Sequence, residues 1–134
     1  MNTPHIYLPL ALIASALFSS APLSAQVTTG QQIIEATTIA NIDRYALYIP
    51  DAYNDEPGKQ WPLMLSLHGT GGFANGATLQ DNIDILLDRS IPSQIEQGST
   101  RFDEFIVLSP QAKAGQWWNG GETNTLVDQI IAAY

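Results

Sequence analysis

The chain of 134 residues contains no cysteine. That absence excludes disulfides, a thiolate nucleophile and any cysteine-ligated zinc. Histidine is nearly absent too. There are two, and His5 lies in the hydrophobic leader, so His68 alone is left for any mature chain and a multi-histidine metal site is excluded. Positive charge is scarce. Five Lys and Arg stand against 13 Asp and Glu, a net charge of −8, and all of these charges lie beyond residue 26. Arg44, Lys59, Arg89, Arg101 and Lys113 are scattered and form no basic stripe. A phosphate backbone requires clustered cations, so nucleic acid is excluded as a partner. Neither a Gly-x-Ser-x-Gly nor a Walker-type Gly-Lys-Ser/Thr occurs anywhere. No internal repeat or low-complexity run is present.

What remains is the composition of a folded domain, 45% apolar and 13% charged. The first 25 residues read as a secretory signal peptide. Ile6 to Phe18 carries no charge and is too short to span a bilayer, and the small residues Ser24 and Ala25 suit a cleavage site. The alternative is an N-terminal anchor or buried helix. With cleavage, residues 26–134 form one domain exported to the periplasm or medium, with no stable membrane association.

Beyond the leader the pattern turns to strands. Ile33 to Ile39 is β-branched, and Arg44 to Ile49 alternates, with Tyr45, Leu47 and Ile49 on one face; the link Ala40–Asp43 predicts an antiparallel hairpin. Pro62 to Leu67 and Phe105 to Leu108 are nearly continuous apolar runs, which predicts strands buried on both faces. Between them Thr78 and Asp81 have capping-box spacing, with Leu79, Ile83, Leu86 and Leu87 on one helical face. Ser90 reads as the cap of a second short helix carrying Pro92, Ile91 and Ile95 and stopping at Gly98. A last helix is predicted from Thr125, with Asp128 completing a capping box and Leu126, Ile130 and Tyr134 sharing a face. The expected class is α/β, an antiparallel hairpin followed by a parallel βαβα unit. No strand follows the last helix, so the expected sheet is incomplete.

His68-Gly69-Thr70-Gly71-Gly72 follows the first apolar run directly. A glycine-rich turn at the carboxyl end of a parallel strand is where α/β sheets place ligands. Its backbone N–H groups suit an oxygen that becomes negative during acyl transfer; the alternative is a plain tight turn. Gln111 to Glu122 forms a loop at the end of the second run, facing the same place. There Trp117 and Trp118 are candidates to contact an aromatic acyl group or a sugar, or to pack the core beneath the loop.

Three blocks in order, Tyr45-Ala46-Leu47-Tyr48-Ile49-Pro50, then Pro62 through Gly72, then Phe105 through Gln111, together with Trp117-Trp118, carry a resemblance over about positions 30 to 134. They resemble the secreted carboxylesterases of the α/β-hydrolase superfamily grouped with feruloyl esterases, acetylxylan esterases and polyhydroxybutyrate depolymerases. The resemblance implies that the backbone N–H of Thr70, with Gly69, forms half of an oxyanion hole. It implies that His68, Gly71 and Gly72 support the loop; Trp117 and Trp118 are the substrate-binding candidates, and since neighbouring residues point in different directions only one of them is expected to line a pocket. It implies a serine nucleophile, an acid and a base beyond Tyr134, making this chain an inactive N-terminal fragment of an enzyme that needs no cofactor or metal. The substrate class implied is an ester, plant-polysaccharide or aromatic esters included. Without the strand that carries the serine, Pro62 to Leu67 is expected to be an open edge, and the chain insoluble or molten. The competing classes are a secreted non-catalytic carbohydrate-binding module and a pseudoenzyme of the same fold.

Overall fold

The structure is a computed structural model and describes residues 26–134. The predicted signal peptide lies outside the described residues. Among the described residues no helix is long and apolar enough to cross a membrane.

Four strands form one mixed sheet in the order β1-β2-β4-β3, and three helices cover it, an architecture of the α/β class. β1 (Gln32–Ala36) and β2 (Ile42–Tyr48) pair antiparallel, with Ile34 opposite Ala46. The predicted hairpin is present, but its link is Thr37–Asn41, two to three residues earlier than expected. Thr37 takes the turn: its Oγ1 accepts from the Ile39 N–H at 3.0 Å, a local bond that competes with extending the strand. β2 then pairs antiparallel with β4 (Ile106–Ala112), and a bulge falls between Ile42 and Arg44. Ala46, Leu47 and Tyr48 are all buried, so β2 is covered on both faces and not on the single face its alternation suggested.

β3 (Leu63–Leu65) runs parallel to β4, with Leu63, Met64 and Leu65 opposite Ile106, Val107 and Leu108. The Ser66 N–H extends the ladder with a 2.8 Å bond to the Leu108 carbonyl. The expectation that both apolar runs are buried on two faces holds for β4, whose residues are all buried. It fails for β3. Leu65 is 38% exposed and Leu67 is 42% exposed, because β3 is the edge of the sheet and its other side has no neighbour among the described residues.

The two sheet faces carry separate cores. On one, Ile42, Leu47, Ile49, Ile106 and Leu108 pack against Leu126 and Ile130 of α3 (Gly120–Ala133). On the other, Tyr48, Phe102 and Val107 pack with Met64 and with Ile91 and Ile95 of α2 (Ser90–Glu96). α1 (Leu79–Leu87) precedes α2 and starts on the capping box read from the sequence: Thr78 Oγ1 accepts from the Asp81 N–H, and the Asp81 carboxylate accepts from the Thr78 N–H. Its apolar face is only partly used, since Leu86 is buried while Leu79 is 62% exposed.

Two helix starts differ from expectation. Ser90 is not a cap; it is the first residue of α2, at a φ of 45°, and Arg89 occupies the cap position without a side-chain bond. α3 begins at Gly120, five residues before Thr125. Asn119 caps it by accepting from the Gly121 N–H at 2.9 Å, while Thr125 turns its hydroxyl back onto the Gly121 carbonyl. The Thr125–Asp128 spacing therefore mimics a capping box inside a helix already under way.

Candidate functional site

The parallel pair β3–β4 brings the carboxyl ends of both strands to one edge of the molecule, where the two predicted loops meet. Gly69 is extended (φ −84°, ψ −163°), and Thr70 to Gly72 close a single 3-10 turn through the Gly72 N–H and the Gly69 carbonyl at 3.1 Å. The turn therefore uses the third amide and leaves the first two. Among the described residues the N–H groups of Thr70 and Gly71 make no hydrogen bond. Gly69, Thr70 and Gly71 are all exposed, so these amides meet solvent.

Three contacts hold the turn in place. The first is His68, 9% exposed, whose Nε2 accepts from the Ala112 N–H at the end of β4 at 3.0 Å. An acceptor at Nε2 puts the proton of the neutral ring on Nδ1, which donates to the Gly69 carbonyl at 2.7 Å. Burial pulls the His68 pKa below its ordinary value, partly offset by the bond to Gly69. The second is Gln111, which has no exposed surface. Its Nε2 donates to the Gly72 carbonyl at 3.1 Å and to the Asn82 carbonyl in α1 at 2.9 Å. One carboxamide thus joins the turn, β4 and α1, and Asn82 Oδ1 in turn holds the Gly76 N–H at 2.7 Å. The third is steric. A methyl group on Gly72 would lie 2.3 Å from Cγ of His68, so only glycine allows the ring to pack there.

The two tryptophans separate. Trp118 is half-buried, packs at a tilt against His68 with ring centroids 4.6 Å apart, and donates its indole N–H to the His68 carbonyl at 2.9 Å. It is a structural partner of the turn, the packing role that was the alternative for one member of the pair. Trp117 is 64% exposed and meets Phe73 edge-on at 5.5 Å. Phe73 in turn meets His68 edge-on at 5.5 Å. The aromatic row from Trp118 through His68 and Phe73 to Trp117 flanks the exposed amides, and of the two tryptophans Trp117 offers more surface to a ligand.

Sequence reasoning missed Gln111 and Arg89. The Gln111 carboxamide stands inside a buried strand, where a polar residue without a visible partner was the available signal. The Arg89 guanidinium faces the turn: a methyl on Gly71 would fall 3.6 Å from its Cζ. Among the described residues no three His, Asp or Glu side chains gather as a metal site. A cleft of about 540 Å³ between Tyr53, Glu56, Lys59, Trp61 and Tyr134 lies near the start of β3, at the other end of the parallel pair. Its Trp61 ring is covered by the Lys59 ammonium 3.6 Å away, and it brings no nucleophile–base pair together.

Scanned against models of protein families and against curated proteins, the chain matches none.

Proposed function

We infer that this chain is the N-terminal part of a secreted α/β-hydrolase-type serine carboxylic-ester hydrolase, and that it supplies one half of the oxyanion hole. The observation that carries this reading is the pair of exposed, unpaired amides at Thr70 and Gly71, at the carboxyl end of a parallel strand. In acyl transfer such donors stabilise the negative oxygen of the tetrahedral intermediate, and their value comes from being fixed beforehand. The His68, Gln111 and Trp118 contacts fix them. The resemblance favoured Thr70 with Gly69; among the described residues the N–H groups of Gly69, Thr70 and Gly71 are all without a hydrogen-bond partner, so the turn offers Gly69 as well as Gly71 beside Thr70.

On this reading the serine, acid and base belong to polypeptide outside these 134 residues. His68 is not the base, because its Nε2 is committed to Ala112 and its Nδ1 to Gly69. Ser66 and Ser109 are buried in the strand core and are no nucleophiles. The open side of β3, with Leu65 and Leu67 exposed, suits one more parallel strand, which in the resembling family carries the serine. Export by the leader, an ester substrate and the absence of a cofactor follow from the same reading.

The test is the coding sequence beyond Tyr134 together with fluorophosphonate labelling of the whole protein. The reading expects a Gly-x-Ser-x-Gly after one further strand and a single labelled serine within it. A whole protein with neither motif nor label ends the esterase reading. Trp117 then becomes the leading feature, and its 64% exposure favours the carbohydrate-binding alternative.

A further inference from the structure

The five cations of this acidic chain are unequal. Arg44 pairs with Asp43, Lys59 with Glu56 and Glu104, and Lys113 Nζ donates to the Ala40 carbonyl. Among the described residues Arg101 and Arg89 make no ion pair and no guanidinium hydrogen bond, and of the two it is Arg89 that lies near the turn. It is nevertheless placed. A methyl group on Gly71 would sit 3.6 Å from Arg89 Cζ and 3.7 and 3.9 Å from its terminal nitrogens, so the planar group faces Gly71 across a gap about one methyl group wide. Arg89 and Gly71 are 18 residues apart, and the α1–α2 corner brings them together. The corner is itself distinctive, since Ser90 immediately after Arg89 is the one non-glycine with positive φ among the described residues. A non-glycine held there is a local cost that the surrounding packing must impose.

We propose that Arg89 and the amides of Thr70 and Gly71 together form a binding site for a small oxyanion. This rests on the reading of the turn as an acyl-transfer site and adds a charged donor to it. The ligand class is an oxygen anion on carbon or phosphorus: the carboxylate left by ester hydrolysis, or the tetrahedral oxyanion that precedes it. A guanidinium presents fixed N–H donors that match such oxygens and stays charged at all working pH values. In a molecule of net charge −8, an unpaired cation facing Gly71, on a turn with open amides, is a local exception that draws an anion to this edge. Arg89 therefore contacts the bound anion directly and strengthens its hold without taking part in proton transfer.

The test is a titration of the full chain with sodium acetate and, separately, with phenylphosphonate, followed by tryptophan fluorescence at low protein concentration and low salt. Trp118 packs against the His68 ring that holds the turn and reports occupancy. Arg89→Gln removes the charge from an exposed side chain and leaves the fold intact. Arg89→Lys restores charge without the fork. Thr70→Pro removes one amide at the first position of the turn, where an extended Gly69 precedes it and the N–H has no partner to lose. The expected result is saturable binding of both anions, weakened about tenfold by Arg89→Gln, less by Arg89→Lys, weakened also by Thr70→Pro, and non-additive in the double variant. Tighter binding of phenylphosphonate identifies the tetrahedral oxyanion as the better ligand; tighter acetate identifies the carboxylate product. Weakening by Thr70→Pro but not by Arg89→Gln removes Arg89 and leaves the turn's role standing. Weakening by Arg89→Gln but not by Thr70→Pro places the anion on the guanidinium alone and overturns the shared site. No saturable binding to the parent chain overturns both.

Discussion

The Nε2 atom of His68 accepts a hydrogen bond from the backbone N–H of Ala112, 44 residues further along the chain, at 3.0 Å. That bond ties the turn after β3 to the last residue of β4, and it exists only while Nε2 carries no proton. In the folded chain burial lowers the His68 pKa below its ordinary 6.5, so the unfolded state binds the proton more readily. The stabilisation is complete above pH 6.5 and is lost progressively as pH falls from there through the lower folded value. Acid should therefore loosen the turn and change Trp118 fluorescence with a midpoint below 6.5. His68→Gln keeps an acceptor near the Ala112 N–H and cannot titrate, so it should remove this transition while leaving the carboxylate-driven loss at lower pH. An unchanged acid transition in His68→Gln contradicts the assignment.

Gln111 should be the most sensitive polar position in the core. Gln111→Met keeps the approximate volume but leaves the Gly72 and Asn82 carbonyls without their buried donor. The expected loss is about 2–4 kcal/mol in chemical denaturation at constant m-value. A loss below about 0.5 kcal/mol, the range of ordinary surface substitutions, contradicts the role given to this carboxamide.

Thr78→Ala tests the start of α1. It removes the hydroxyl that accepts from the Asp81 N–H at 3.1 Å and should cost about 1 kcal/mol. Thr125→Ala, at the spacing that imitates a cap inside α3, should cost clearly less in the same denaturation measurement, since the α3 cap is Asn119.

How far the sequence could be read is clearest at these helix starts. Thr78-x-x-Asp81 and Thr125-x-x-Asp128 are the same pattern, and only one is a cap. Local spacing states what a side chain is able to do, and the chain around it decides whether that is needed. The α/β class, the hairpin and the parallel placement of the turn were legible, because binary patterning and glycine placement are local signals. The apolar run at Pro62 to Leu67 reads by itself as two-sided burial, because periodicity reports apolarity and cannot tell a central strand from an edge; the open edge followed only from the neighbour strand missing among the described residues. Trp118 against the His68 carbonyl, Gln111 against α1 and Arg89 against Gly71 join residues 18 to 50 apart. No local pattern encodes such contacts, since they depend on how the sheet and helices pack.

The β3 edge should make the chain self-associate. Leu65 and Leu67 present apolar surface beside a backbone that has no strand partner on that side among the described residues. Leu65→Lys should reduce concentration-dependent association measured by sedimentation or light scattering. Leu79→Lys is the control: Leu79 is more exposed, at 62%, but lies on a helix and offers no backbone to pair with, so it should have little effect. Equal effects of the two lysines would mean that general hydrophobicity, and not the strand edge, drives association.

The most direct test of the account is Thr70→Pro in the whole protein, measured by hydrolysis of p-nitrophenyl acetate. The substitution removes an amide that makes no bond in the folded chain, so thermal stability should hold. If that amide receives the developing negative charge, kcat should fall about 10²–10³-fold with KM little changed. A stable variant with undiminished kcat would contradict the account.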